Sequence, residues 1–188
     1  QKAVYALGVI PATLLQGKTL APEIYLIPAE LTLLTSMFLH GGWMHLIGNM
    51  LYLWIFGNNI EDAMGHTRFI FFYILCGFAA AMAQSLPDPA SVVPMIGASG
   101  AISGVLGAYL LLYPRARVLV VIPLIFYLYS TRLPAMVVLG FWFVFHVVSS
   151  LMADSTGGGV AWGAHVGGFI AGVVLIPFFK YRRIKLFR

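Results

Sequence analysis

Charged residues are scarce in this chain. Lys, Arg, Asp and Glu make up 9% of its 188 residues, whereas 61% are hydrophobic and the mean hydropathy is +0.93. Soluble domains average about 25% charged residues, so this chain has too few to cover a water-facing surface. The composition therefore predicts an integral membrane protein, with the lipid bilayer as its main partner.

Cysteine is nearly absent as well. The single residue, Cys76, excludes an intramolecular disulfide and any site built from several cysteines. There is no H-E-x-x-H motif, and no glycine-rich phosphate loop follows a strand pattern. His40 and His45 are five residues apart, which predicts different faces of one helix. We therefore predict no metal and no cofactor.

The net charge of +5 is concentrated at the end of the chain. The last nine residues, 180–188, hold five of the cations: Lys180, Arg182, Arg183, Lys185 and Arg188. Because this block directly follows an apolar span, we predict a cytoplasmic tail at the membrane surface and no nucleic-acid partner.

Five membrane spans can be drawn, which predicts an all-α polytopic bundle over residues 33–179. They are Leu33–Phe56, Phe69–Ser85, Ile96–Leu112, Leu133–Ala153 and Ala161–Phe179. The segment from Val118 to Tyr129 is apolar but short and contains Pro123, so we expect it to lie at the interface or to dip into the bilayer.

The distribution of Lys and Arg predicts the orientation of these spans. Arg68, Arg115, Arg117 and Arg132 fall in alternate loops on the same side as the tail. The opposite loops, 87–94 and 154–159, contain neither Lys nor Arg. By the positive-inside rule the C-terminus is cytoplasmic and residues 1–32 form an outer, interfacial segment.

Four polar side chains from three spans share one depth. Ser99 lies 14 residues before Tyr113 and His165 lies 14 residues before Phe179, at the cytoplasmic ends of their spans, so both are about 21 Å from that side. Asn49 lies 12 residues, or about 18 Å, before Glu61 on the same side, and His45 is one turn further out on the same helix face. Polar side chains at this depth usually face a bundle interior or a cavity and have a function there.

Small residues recur every four positions in the spans that carry Ser99 and His165. Gly100 and Gly104 form one such pair, and Gly168 and Gly172 form another. These pairs allow close helix packing, which permits a hydrogen bond between Ser99 and His165. Serine with histidine is the minimal set for nucleophilic catalysis, and since Asp and Glu are missing from this layer, the unit would be a dyad.

Each signal also has an ordinary explanation. A Gly-Ala-Ser-Gly sequence is most often a packing motif, and Asn49 is also suited to joining helices by hydrogen bonds. An intramembrane histidine also suits a proton relay or a small transporter. The shared depth favours a common site.

The motifs, in their order and spacing, resemble those of the rhomboid family of intramembrane serine proteases, over nearly the whole chain. Residues 40–49 (HGGWMHLIGN) resemble the family's H-x4-H-x3-N pattern, and residues 97–100 (GASG) its GxSG motif. Residues 164–172 resemble its A-H-x-x-G-x-x-x-G motif, and Glu61 matches an acidic residue near the end of a span. Residues 114–117 (PRAR) and 132–134 (RLP) are similar to bacterial members, so we expect a bacterial inner membrane protein.

This resemblance implies roles for the polar layer. Ser99 would be the nucleophile of an acyl-enzyme mechanism, and His165 the general base and then the acid. The Ser99 backbone N–H, His45 and Asn49 would bind the oxyanion. Substrates would be single-span membrane proteins, cut in or near their transmembrane segments.

The resemblance also implies supporting roles for the glycines of these motifs, which are Gly97, Gly100, Gly168 and Gly172. The resemblance also implies a six-span core, so the first span is expected to be absent or truncated in this chain, which begins with Gln1.

Two rival functions remain open. One is a member of the same fold that binds membrane helices for quality control without cutting them, and the other is a small polytopic transporter. Within the protease hypothesis, the aromatic run at Phe141, Trp142, Phe143 and Phe145 suggests a lateral substrate gate beside the first span. No role can be assigned to His146, and His40 is expected near the outer mouth of the site.

Overall fold

The computed structural model describes residues 1–124, 127–153 and 159–187. The helices are Lys2–Leu7 (α1), Pro11–Gln16 (α2), Thr32–Thr35 (α3), Trp43–Tyr52 (α4), Asn58–Met64 (α5), His66–Ser85 (α6), Ser99–Leu112 (α7), Ala135–Met152 (α8) and Trp162–Phe179 (α9). Short 3₁₀ turns cover Ala29–Leu31 and Ser36–Phe38, and a π-helical turn, Leu53–Gly57, joins α4 to α5. Two strands, Arg117–Pro123 (β1) and Leu128–Pro134 (β2), form an antiparallel hairpin. The predictions for the loop starting at Asp154, for positions 125–126 and for Arg188 lie outside the described residues.

Helix α7 is the centre of the bundle. Every residue from Gly100 to Tyr109 is buried, because the helix is apolar on all sides and is packed against α6, α8 and α9. The core between these helices includes Phe72 and Cys76 of α6, Leu106 of α7 and Phe169 of α9. The predicted helical bundle is therefore confirmed, with Ser99 at one end of its most buried helix.

The outer helices present apolar side chains to their surroundings. Within the described residues, α6, α8 and α9 are long and apolar enough to cross a bilayer. Trp54, Phe141, Leu151 and Phe178 are each at least 71% exposed. Large apolar surfaces of this kind suit contact with lipid. The count of five spans stays a prediction.

The first span differs from its predicted extent. A continuous helix from Leu33 was expected, but the chain is extended at Leu39. The long helical segment begins only at Trp43 and continues through the π-helical turn to Met64. Gly41 and Gly42, which have low helix propensity, lie in the break. His40 therefore lies in the loop and not on a shared helix with His45, and the two rings are in contact, with centroids 5.1 Å apart. The prediction that one helix would separate them was wrong.

The third span begins three residues later than expected. Gly97 has φ of +120°, a conformation that ends any helix running through it, so α7 starts at Ser99. This displacement places Ser99 at the first helical position.

The hairpin was not expected from the sequence, which indicated only an interfacial or dipping segment at Val118–Tyr129. Strands β1 and β2 pair from Arg117 opposite Pro134 to Pro123 opposite Leu128. Four of the five residues from Val118 to Ile122 are β-branched, which favours this extended conformation. The bundle therefore carries one small two-stranded sheet between α7 and α8.

The N-terminal segment packs against the loop that precedes Ser99. Val9 and Met95 exchange backbone hydrogen bonds of 3.0 and 2.8 Å, and the Ala12 N–H donates to the Ser91 carbonyl oxygen. Val9 and Ile10 are buried. Residues 1–16 therefore support the loop that leads to Ser99.

Candidate active site

The Ser99 side chain lies where a loop becomes the central helix. The first N–H groups of a helix have no intrahelical partner, so the backbone N–H of Ser99 at the start of α7 is available to a ligand. The positive end of the helix dipole lies at the same point and favours negative charge there. Ser99 therefore combines a hydroxyl with a site suited to an anion.

His165 contacts Ser99 directly. Its Nε2 lies 2.7 Å from the Ser99 Oγ, a short hydrogen-bond distance. The His165 side chain is buried in the first turn of α9. Its other ring nitrogen, Nδ1, is buried and has no hydrogen-bond partner among the described residues.

This contact depends on the close approach of α7 and α9. A methyl group at Gly168 would overlap the carbonyl oxygen of Gly100, and one at Gly172 would overlap that of Gly104. On its other side, a methyl group at Gly100 would lie 2.6 Å from the Ala80 Cβ in α6. Gly100, Gly168 and Gly172, which the sequence marked as supporting, therefore line these helix contacts.

His45 reaches the loop before Ser99 from α4. A methyl group on Gly97 would lie 2.8 Å from the His45 Nε2 and 3.7 Å from the Ser99 Oγ, so the two side chains flank the same small space. The Gly41 N–H donates to the His45 Nδ1 over 3.2 Å. Since Nδ1 accepts, neutral His45 carries its proton on Nε2, the nitrogen that lies against Gly97.

Asn49 follows His45 one turn later in α4. It is 7% exposed, and its Nδ2 is buried without a hydrogen-bond partner among the described residues. An amide nitrogen left unpaired in a protein interior is unusual and suggests that it serves a ligand.

Two hydrogen bonds that the sequence did not reveal hold the segments beside Ser99 and His165. The Gly97 N–H donates to the Ser36 carbonyl oxygen over 2.9 Å, and the Ala164 N–H donates to the Gln84 Oε1 over 3.1 Å. A cavity of about 30 Å³ borders Ser99 and Gly97, enough for one water molecule. Gln84 is a polar residue near the end of the second span, so the sequence did offer a signal for its contact with Ala164.

Three aromatic side chains lie close to the His165 ring. The ring centroids of His146, Trp142 and Trp162 lie 4.9, 6.0 and 6.2 Å from that of His165. Sequence reasoning assigned His146 no role, although its spacing of four from Trp142 places both on one face of α8.

Comparison with known proteins agrees with this architecture. The family described as the rhomboid domain matches residues 29–182. Rhomboid protein 1, mitochondrial, from Saccharomyces cerevisiae is 31% identical over 183 residues, which cover 92% of this chain and 49% of the yeast protein. Rhomboid-like protease 5 from Toxoplasma gondii is 34% identical, over 81% of this chain and 16% of its own length. Rhomboid protease GluP from Bacillus subtilis is 42% identical, over 42% of this chain and 15% of its own.

The chain therefore spans half or less of the length of these relatives. The family match nevertheless covers most of the chain, and the apolar helices fit an integral membrane protein. The chain belongs to the rhomboid family.

Proposed function

We propose that this protein is an intramembrane serine endopeptidase with Ser99 as nucleophile and His165 as general base. The observation that carries the proposal is the 2.7 Å contact between the Ser99 Oγ and the His165 Nε2. A nucleophile and a base within hydrogen-bond reach are what acyl transfer requires, and two separate helices contribute them here. Relatives whose names include "protease" support the same reaction class.

In the first half of the reaction, the Ser99 Oγ attacks the carbonyl carbon of the scissile peptide bond while the His165 Nε2 takes the hydroxyl proton. The carbonyl oxygen becomes an oxyanion. Protonated His165 then gives the proton to the leaving amine, the C–N bond breaks and an acyl-enzyme remains.

Three donors are suited to the oxyanion. They are the Ser99 backbone N–H at the start of α7, the His45 Nε2–H and the Asn49 Nδ2–H. Donors aimed at developing charge in a water-poor site are worth about 2.7–4 kcal/mol of barrier each.

In the second half, a water molecule attacks the acyl carbon as His165 takes its proton, and Ser99 leaves with that proton. The cavity of about 30 Å³ beside Ser99 has room for a single water molecule.

We further propose that the substrates are single-span membrane proteins, cut in or near their transmembrane segments towards the outer side. The support is the apolar exterior of the bundle together with the position of Ser99 near one end of the core. The orientation with a cytoplasmic C-terminus rests on the loop cations and is part of the same proposal.

Reconstitution tests this function. The full chain is placed in liposomes with a model single-span substrate, and fragments are identified by mass spectrometry. We expect cleavage by the wild type and none by Ser99→Ala or His165→Ala. Cleavage that persists in Ser99→Ala contradicts the proposal. Substrate binding without cleavage by the folded wild type would instead support a non-cleaving member, and solute flux that tolerates Ser99→Ala would support a transporter.

A further inference from the structure

His146 is a buried titratable group that the mechanism above does not use. It lies on the inner face of α8 and is 8% exposed. Its ring stacks on Trp142 with centroids 3.8 Å apart and lies 4.9 Å from the ring of His165. A polar ring at this depth of an apolar helix is costly unless it is hydrogen-bonded.

The tautomer of His146 follows from one hydrogen bond. Its Nδ1 lies 2.8 Å from the carbonyl oxygen of Trp142, one turn earlier in α8. A carbonyl oxygen only accepts, so Nδ1 carries a proton and the neutral ring holds a lone pair on Nε2. His146 therefore presents an acceptor and not a second donor.

His165 has the complementary need. To accept the Ser99 proton, its Nε2 must be unprotonated, which places the ring proton on Nδ1. That Nδ1 is buried and has no hydrogen-bond partner among the described residues. When Ser99 reacts, His165 becomes a cation, and the absence of an acceptor at Nδ1 then becomes more costly.

We propose that His146 is a positioning residue for His165, whose Nδ1–H donates to the His146 Nε2 directly or through one water molecule during the reaction. The contact fixes the tautomer of His165 and stabilises its protonated form, the part that a carboxylate plays in a Ser-His-Asp triad. The inference rests on the proposed protease function and extends it.

Aromatic packing is the competing explanation. The stack of His146 on Trp142 and its edge contact with Trp162, at 5.1 Å between centroids, would also hold α8 against α9. Two substitutions separate the explanations. His146→Phe keeps a flat ring but has no acceptor, whereas His146→Gln loses the ring but can place an amide oxygen near the original Nε2.

The test compares the full-length wild type, His146→Phe and His146→Gln in detergent. Val144→Ala, on an exposed position of α8, is the control for a change in this helix. The measurements are kcat and KM for cleavage of the model substrate, the rate of Ser99 labelling by a fluorophosphonate, and thermal unfolding to show that each variant is folded.

We expect His146→Phe to lower kcat and the labelling rate about tenfold with KM unchanged, because a tenfold loss corresponds to one buried hydrogen bond. We expect His146→Gln to recover most of that loss. Wild-type rates in His146→Phe, or equal losses in both variants, would overturn the inference in favour of packing. A folded wild type that neither cleaves nor labels would instead contradict the proposed function itself, as would labelling that survives Ser99→Ala.

Discussion

Gly168 of α9 lies directly against the carbonyl oxygen of Gly100 in α7, with no room for a side chain between the two backbones. One residue before Gly100 is Ser99, and three residues before Gly168 is His165. The backbone contact therefore sets the separation of the two side chains, which meet at 2.7 Å. The candidate chemistry depends on helix packing at this point.

Gly168→Ala and Gly172→Ala are accordingly expected to destabilise the bundle. Each new methyl group would overlap a backbone carbonyl oxygen, and overpacking of this kind costs about 1–3 kcal/mol. The measurement is the midpoint of thermal unfolding in detergent. Gly140→Ala in α8 is the matched control, since its methyl group would meet nothing within 4 Å. Unfolding midpoints that fall equally in all three variants would contradict the packing account.

Gly97→Ala is expected to impair the site. The position combines φ of +120° with a methyl group that would lie 2.8 Å from the His45 Nε2 and Cε1 atoms, so the loop or the ring must move. We expect slower fluorophosphonate labelling of Ser99. Gly17→Ala, also at positive φ but in open space, controls for backbone strain alone. Labelling of Gly97→Ala at the wild-type rate would contradict this role of Gly97.

His45→Ala and Asn49→Ala are expected to lower kcat while changing KM little. Removal of one oxyanion donor lowers kcat by about 10²- to 10³-fold, and because other donors remain, activity should be reduced and not abolished. Steady-state cleavage kinetics give both parameters. Gly48→Ala, between them on α4 and with open space around it, should be near wild type. A rise in KM without a change in kcat would assign both residues to substrate binding.

The aromatic run in α8 divides into two faces. The rings of Phe143 and Trp142 both stack on the ring of Phe169 in α9, with centroids 4.5 and 5.9 Å away, respectively. Phe141, in contrast, is 74% exposed. If this helix forms a lateral gate, Trp142→Leu and Phe143→Leu should change the rate of substrate cleavage, and Phe141→Leu should change it less. Identical cleavage kinetics in all three variants would reject the gate.

Residue spacing predicted that Ser99 and His165 lie at one depth, and the two side chains are in contact in the structure. Depth along each span depends only on the rise per residue, so residue spacing alone groups Ser99, His165, His45 and Asn49 in one layer. The glycine spacing indicated which helices approach closely. Both signals are local properties of a helix.

What the sequence did not predict arises from tertiary contacts and backbone conformation. The late start of α7 depends on the positive φ of Gly97, which composition leaves open. The hairpin of β1 and β2 needed two segments to pair, and the contact of His146 with His165 joins helices whose relative rotation no single-span pattern specifies. When a span is apolar on every face, its sequence does not show which side contacts the neighbouring helix.

Fluorophosphonate labelling of two neighbouring serines tests whether Ser99 is the nucleophile. Ser99 and Ser103 lie one turn apart on α7, and the Ser103 Oγ donates to the Ser99 carbonyl oxygen over 2.7 Å. We expect the wild type and Ser103→Ala to be modified at Ser99, as identified by mass spectrometry, and Ser99→Ala not to be labelled. Equal labelling of Ser99→Ala and the wild type, or no labelling of a folded wild type, would contradict the assignment of Ser99 as the nucleophile.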